Sequence, residues 1–183
     1  MNTQVFVDEW AIAADCLADN GFASIAESIR DMRNRVLSCF LGENRGESFD
    51  CSRPFISGGW SYYTDRRLMI RIRTDQPDEP RPKLNSVLKV WNEYWHVDPD
   101  YSWEPLPGHD PDLQGDDLYT QFVVVNSRRL SQAILRLVNK LPEPEYQPTT
   151  EDYKWEEYFT TPLPFRFRFG EGIAMPLGVS KER

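Results

Sequence analysis

Histidine and cysteine are scarce in this chain: His96 and His109 are the two His, and Cys16, Cys39 and Cys51 the three Cys. A zinc site draws its ligands largely from these residue types, and the chain offers no C-x-x-C pair and no His pair at ligand spacing. The odd number and wide spacing of the cysteines argue against a disulfide framework and fit a reducing, cytoplasmic compartment. Cys16 and Cys39 fall at helical spacing with apolar residues and are expected in the core as small hydrophobes. A Cys51–His96 nucleophile pair has no local motif to support it. G-x-S-x-G, H-E-x-x-H and G-x-G-x-x-G are all missing. Ser57-Gly58-Gly59 and Gly170-Glu171-Gly172 carry no P-loop lysine and precede no helix, so both are expected as hairpin turns. The expectation is therefore a protein that is not an enzyme, with no cofactor and no metal. No apolar run approaches the roughly 20 residues that span a bilayer. The first nine residues also lack the basic start and apolar core of an export signal, so neither a membrane nor export is expected.

What is present suits one folded domain. Of 183 residues, 40% are hydrophobic, including ten Phe, eight Tyr and six Trp, enough to build a core. Lys and Arg number 21 against 29 Asp and Glu, a net charge of -8. That balance disfavours a general nucleic-acid binder while leaving room for a local basic patch.

Hydrophobic periodicity sets the expected elements. Trp10, Ala13, Ala14 and Leu17 mark a helix over 7–19, stopped by Asn20-Gly21. Ile25, Ile29, Met32, Val36 and Phe40 mark the apolar face of a second helix over 23–40. The pattern then changes to period 2. Leu68, Ile70 and Ile72 alternate with Arg67, Arg71 and Arg73, and Phe165, Phe167 and Phe169 alternate with Arg166 and Arg168; each set of apolar residues is expected on one buried strand face. A third helix is expected over 83–94 on Leu84, Val87, Leu88 and Trp91. A fourth is expected over 128–139 on Leu130, Ala133, Ile134, Leu137 and Val138, capped by Asn126-Ser127. Between them, residues 98–117 form a long acidic loop with Asp98, Asp100, Asp110, Asp112, Asp116 and Asp117. Its spacing does not match an EF-hand, so a solvated loop is the default. The arginines on the alternating strands would meet phosphates or an acidic partner unless neighbouring strands supply acids to pair with them.

Three stretches, in order, resemble the bacterial DNA polymerase sliding clamp over about residues 48–177. Tyr62-Tyr63-Thr64-Asp65-Arg66-Arg67-Leu68 resembles the clamp's Thr-Asp-Gly-His-Arg-Leu strand junction, with Arg66 where the clamp has Gly-His. Val125-Asn126-Ser127-Arg128-Arg129-Leu130 resembles the Asn-x-x-x-Leu start of a clamp helix. Ile173-Ala174-Met175-Pro176-Leu177 resembles the Met-Pro-Met ending. The chain is too short for a whole clamp protomer. In clamps the first and last of these segments meet in an apolar groove that receives partner peptides. The resemblance thus implies a groove built by Thr64, Arg67, Leu68, Met175, Pro176 and Leu177. It also implies helices that line a DNA channel, and the expected third and fourth helices carry Lys83, Lys89, Arg128, Arg129, Arg136 and Lys140 as a candidate nucleic-acid surface.

The expected fold is α+β, an antiparallel sheet with about four helices in clamp-like helix-plus-strands halves. A helical hairpin (1–41) precedes the main domain (42–179), and a tail (180–183) follows. The expected function is a non-enzymatic binding module for a partner protein's peptide or nucleic acid. The alternative is an acidic inhibitor of the phage counter-defence or DNA-mimic type that blocks a DNA-handling machine.

Overall fold

The computed structural model describes residues 8–42, 50–79, 84–95, 100–148 and 161–177, and for residues 84–87 only the backbone. Lys83, His96, Asp98 and the 180–183 tail lie outside the described residues. Among the described residues, five helices and two antiparallel sheets make up the fold; its α+β class and its N-terminal helical pair are as the periodicity predicts.

The helical pair is α1 (Glu9–Asp19) and α2 (Ala23–Ser38). Asp8 caps α1 by accepting a hydrogen bond from the Ala11 amide (3.1 Å). The helix stops at a left-handed Gly21: its amide bonds Ala18 O and the Phe22 amide bonds Leu17 O, the paired bonds of a Schellman ending. The two helices meet through small residues, Ala14 and Ala26, both fully buried. Arg30–Asp15 and Arg33–Asp8 ion pairs bind one helix to the other. This packing leaves Ile25 and Met32 about half exposed, at 50% and 49%, together with Ile12 and Phe22. The apolar stripe expected over Ile25–Phe40 is thus buried only toward its C-terminal end, where Leu37 and Phe40 enter the main core. Cys16, expected in the core, is exposed.

Among the described residues the large sheet has seven strands in the order β1-β2-β3-β9-β8-β7-β4, and every pairing is antiparallel. Its strands are β1 (Phe55–Ser57), β2 (Trp60–Thr64), β3 (Leu68–Arg73), β4 (Glu104–Pro105), β7 (Glu145–Tyr146), β8 (Leu163–Phe167) and β9 (Gly170–Ala174). A second sheet is the hairpin of β5 (Phe122–Val125) and β6 (Arg128–Ser131). The remaining helices are α3 (Leu84–Tyr94), the single-turn α4 (Asp117–Thr120) and α5 (Gln132–Val138).

Leu68, Ile70 and Ile72 share one buried core with Phe165, Phe167 and Phe169, as their alternation predicts. That face is covered by Ile134, Leu135 and Val138 of α5 and by Leu37 and Phe40. The opposite face carries Tyr62, Met69 and Ile173, covered by Trp91 of α3. Hence α3 and α5 lie on opposite faces of one sheet.

Two expected elements are corrected. Gly170 and Gly172 are not a turn but lie within β9, directly opposite Phe167 and Phe165. A β-carbon at Gly172 would fall within the Phe165 ring, and one at Gly170 would strike Phe167 and the backbone of Arg71. The glycines give the two rings room to lie against the sheet, and the turn moves to Arg168-Phe169. Likewise residues 128–131 form a strand rather than the start of a helix. Asn126 and Ser127 both take positive φ (46° and 60°), the signature of a two-residue hairpin turn. The helix cap is Ser131, whose hydroxyl accepts from the Ile134 amide (3.2 Å).

Candidate peptide-binding surface

The two segments that the clamp resemblance singles out do meet. β3 pairs with β9, setting Leu68 opposite Ala174. Beyond the ladder, the Met175 amide donates to Arg67 O and the Leu177 amide to Arg129 O, both at 2.7 Å. Residues 175–177 therefore run from the β2–β3 connection across to β6, stitching the large sheet to the β5–β6 hairpin.

The connection before β3 is held by its own side chains. Asp65 Oδ1 accepts from the Arg67 and Leu68 amides (2.8 Å each) and Thr64 Oγ1 from the Arg66 amide (3.0 Å). These are the local bonds by which Asp and Thr make turns. Arg66 takes a left-handed φ of 79°, at the position where the clamp segment has Gly.

The six expected groove residues divide into two kinds. Leu68 (1% exposed) and Thr64 (4%) are interior: Leu68 belongs to the main core and Thr64 ties the turn. They support the surface from beneath and cannot line it. Arg67 is exposed, and Met175, Pro176 and Leu177 are half-buried. Those four reach the surface together.

Beside them lies an apolar patch that the sequence pattern did not single out. Tyr119, Phe122 and Val124 are 53%, 42% and 57% exposed. Val123 and Val125 point inward with Leu130, so Phe122 and Val124 point out with Arg129 across the hairpin. The Arg129 guanidinium stacks over the Phe122 ring at 4.9 Å, and that of Arg67 lies over Tyr119 at 5.5 Å. A run reading Phe-Val-Val-Val has the look of a strand buried on both faces, which is why its sequence hides this exposure. The lone turn of α4 carries Asp116 and Asp117 at its start, both exposed.

The candidate nucleic-acid surface is not assembled. Arg128 is buried on a strand, its Nε donating to Thr161 O (2.9 Å) and its Nη1 to Asn126 O (3.2 Å). Arg129 shares that strand. Lys89 on α3 and Arg136 on α5 are exposed on elements that cover opposite faces of the sheet, and Lys140, beyond α5, bonds Cys39 Sγ (3.2 Å). A DNA channel needs the basic helices on one side, and this arrangement separates them.

The arginines of the alternating strands are largely met by acids. Across β2, β3, β9, β8 and β7 one row reads Tyr62, Arg71, Glu171, Arg166, Glu145. Arg71 binds Glu171 through Nε (2.7 Å) and Nη2 (2.6 Å), and Arg166 binds Glu145 (2.8 Å). Above this row, Arg73, Trp60, Arg71, Trp91 and Trp95 stack in sequence, with Arg71 between two indoles at 4.2 and 4.3 Å. Burial pushes the Glu171 carboxyl above its ordinary range, while Arg71 and Arg73 pull the other way. The row is bonded within itself, and its chemistry is that of a core.

The acidic loop is anchored in part. The amides of His109 and Asp110 donate to Asn139 and Gln132 (2.8 Å each), and Leu106 is buried. Among the described residues no group of three His, Cys, Asp or Glu is placed to hold a metal ion. Burial raises the Cys51 thiol, against the opposing effect of Arg66, and this is the reverse of an activated nucleophile. No described helix is long and apolar enough to cross a membrane.

Compared with known proteins, the chain matches no family model, no curated protein and no solved structure.

Proposed function

We propose that the chain is a non-enzymatic binding module that receives a peptide segment of a partner protein. The surface is formed by Arg67, Met175, Pro176 and Leu177 together with Tyr119, Phe122 and Val124. The observation that carries this reading is the juxtaposition of the 175–177 segment with an exposed apolar hairpin face topped by two aromatic-stacked arginines. Exposed apolar area of this kind, rimmed by charge, marks interaction sites more often than ordinary surface. Methionine adapts its shape to different partners, and arginine and aromatic residues are enriched where interfaces concentrate their energy. The resemblance to a sliding-clamp peptide groove points to the same place.

The test is affinity capture from the source cells with the wild-type chain and with Met175→Glu, each checked by its melting curve. The reading expects a captured protein that Met175→Glu no longer holds while its melting temperature stays near that of wild type. Equal capture by both removes the surface from the function. A large fall in melting temperature assigns Met175 to the core.

A further inference from the structure

We infer that Cys39 and Lys140 form a covalent sulfur–nitrogen bridge when the chain meets hydrogen peroxide, and that thiol reductants reopen it. The inference goes beyond the peptide-binding reading and uses none of its residues.

Two side chains from distant parts of the sequence make the site. Lys140 Nζ donates to Cys39 Sγ at 3.2 Å, although the residues are 101 positions apart. The thiol has a second partner, donating to Arg35 O at 3.3 Å. Both backbones are held in place. Cys39 ends α2 and is followed by Phe40; Lys140 lies just past α5 and is followed by Leu141; Phe40 and Leu141 are buried in the same core. Core packing therefore brings the amine to the sulfur. A small oxidant can reach both, since Cys39 is half-buried and Lys140 exposed. The other two cysteines differ. Cys51 is buried, and burial raises its thiol. Cys16 is exposed, and its sulfur meets the neutral Asn20 amide at 3.8 Å.

The thiolate is the form that peroxide oxidises. Cys39 gives its proton to solvent, and its sulfur attacks one peroxide oxygen. The S–O bond forms as the O–O bond breaks, and the departing hydroxide takes a proton from the Lys140 ammonium to leave as water. A sulfenic acid and a neutral amine then lie side by side. Sulfenic acids condense with thiols or with a nearby nitrogen. The Lys140 nitrogen attacks the sulfur, the S–O bond breaks, and the hydroxide leaves with a proton from that nitrogen as a second water. Peroxide is reduced to water and the sulfur is oxidised. A thiol reverses the step by attacking the sulfur, which returns the amine; a second thiol then frees Cys39 from the mixed disulfide. The bridge closes a long loop and ties the end of α2 to α5, so it restricts the unfolded chain.

The test treats the full wild-type chain and Lys140→Gln with hydrogen peroxide, digests each without reductant, and reads the peptides by mass spectrometry. The expected result is a pair of peptides joined at Cys39 and Lys140, lighter by two hydrogens than the free peptides together, and lost on treatment with dithiothreitol. The oxidised wild-type chain should also melt at a higher temperature, and dithiothreitol should remove the gain. Lys140→Gln should lose the linked pair and carry Cys39 as sulfenic acid or its further oxidation products. Cys39 remaining a free thiol while Cys16 is oxidised overturns the inference. So does a Cys39 sulfenic acid, trapped with dimedone, in a wild-type chain that yields no linked pair. Linked peptides from Cys16 to lysines in equal yield, or a disulfide from Cys39 to a second chain in place of the bridge, overturn it as well. The wild-type result stands whether or not the variant folds.

Discussion

Arg71 makes several contacts at once. It lies between two indoles, binds Glu171 through two nitrogens and reaches toward the Tyr62 hydroxyl (3.4 Å). Removing it would leave Glu171 buried without its counter-charge. Arg71→Ala should therefore cost roughly 3–5 kcal/mol, as for other broken buried pairs. Replacing both Arg71 and Glu171 by apolar residues should recover much of that loss, with both measured by denaturant unfolding. The pH dependence has a definite sign. Because burial raises the Glu171 carboxyl above its ordinary value, the folded chain holds this proton more tightly than the unfolded chain does. The contribution is complete below the ordinary carboxylate range and is lost as pH rises through the raised value. Wild type should lose stability relative to Glu171→Gln as pH rises from the ordinary carboxylate range through the raised value. A relative gain over that range would mean that the Arg71 ion pair outweighs burial. A second residue-scale prediction concerns Gly172. Its φ is ordinary, so conformation alone would tolerate Ala, but the Phe165 ring occupies the space. Gly172→Ala should cost about 1–3 kcal/mol by overpacking, and adding Phe165→Leu should return part of it in the same melting assay.

At the scale of elements, period proved readable and partnership did not. Both alternating strands lie where period 2 puts them because one face of each is core. The helical hairpin was equally legible as two helices, yet its apolar stripe is half exposed because Ala14 and Ala26 allow the helices to meet elsewhere. Ile25→Ala should accordingly change stability by only about 0.5 kcal/mol, against the roughly 2–5 kcal/mol of a core isoleucine. A thermal shift of core size would place Ile25 in an interface. Residues 128–131 misled for a local reason. Leu130 continues the helical spacing of Ile134 and Leu137, but Asn126 and Ser127 turn the chain and Ser131 starts the helix later. Glycines 170 and 172 misled because turn and strand glycines are alike in sequence, and only the facing Phe rings tell them apart. For the candidate site, Arg67 and residues 175–177 were legible through resemblance. Tyr119, Phe122 and Val124 were not, because an unbroken apolar run carries no mark of which side will be left uncovered.

For the whole molecule, the basic residues expected on one nucleic-acid surface are divided. Arg128 is buried, while Lys89 and Arg136 sit on helices that cover opposite faces of the sheet. Exposed apolar area and cations instead coincide where residues 175–177 bridge the large sheet to the β5–β6 hairpin. The central proposal is that this place receives a partner's peptide. The most direct measurement is photo-crosslinking in the source cells from a benzoylphenylalanine placed at Pro176 or Val124, with exposed Glu27 of α2 as the control position. The expected result is a crosslink from both 176 and 124 to the same short segment of one partner protein, with none from 27. Crosslinks of equal yield from all three positions, or none from 176 and 124, would contradict it.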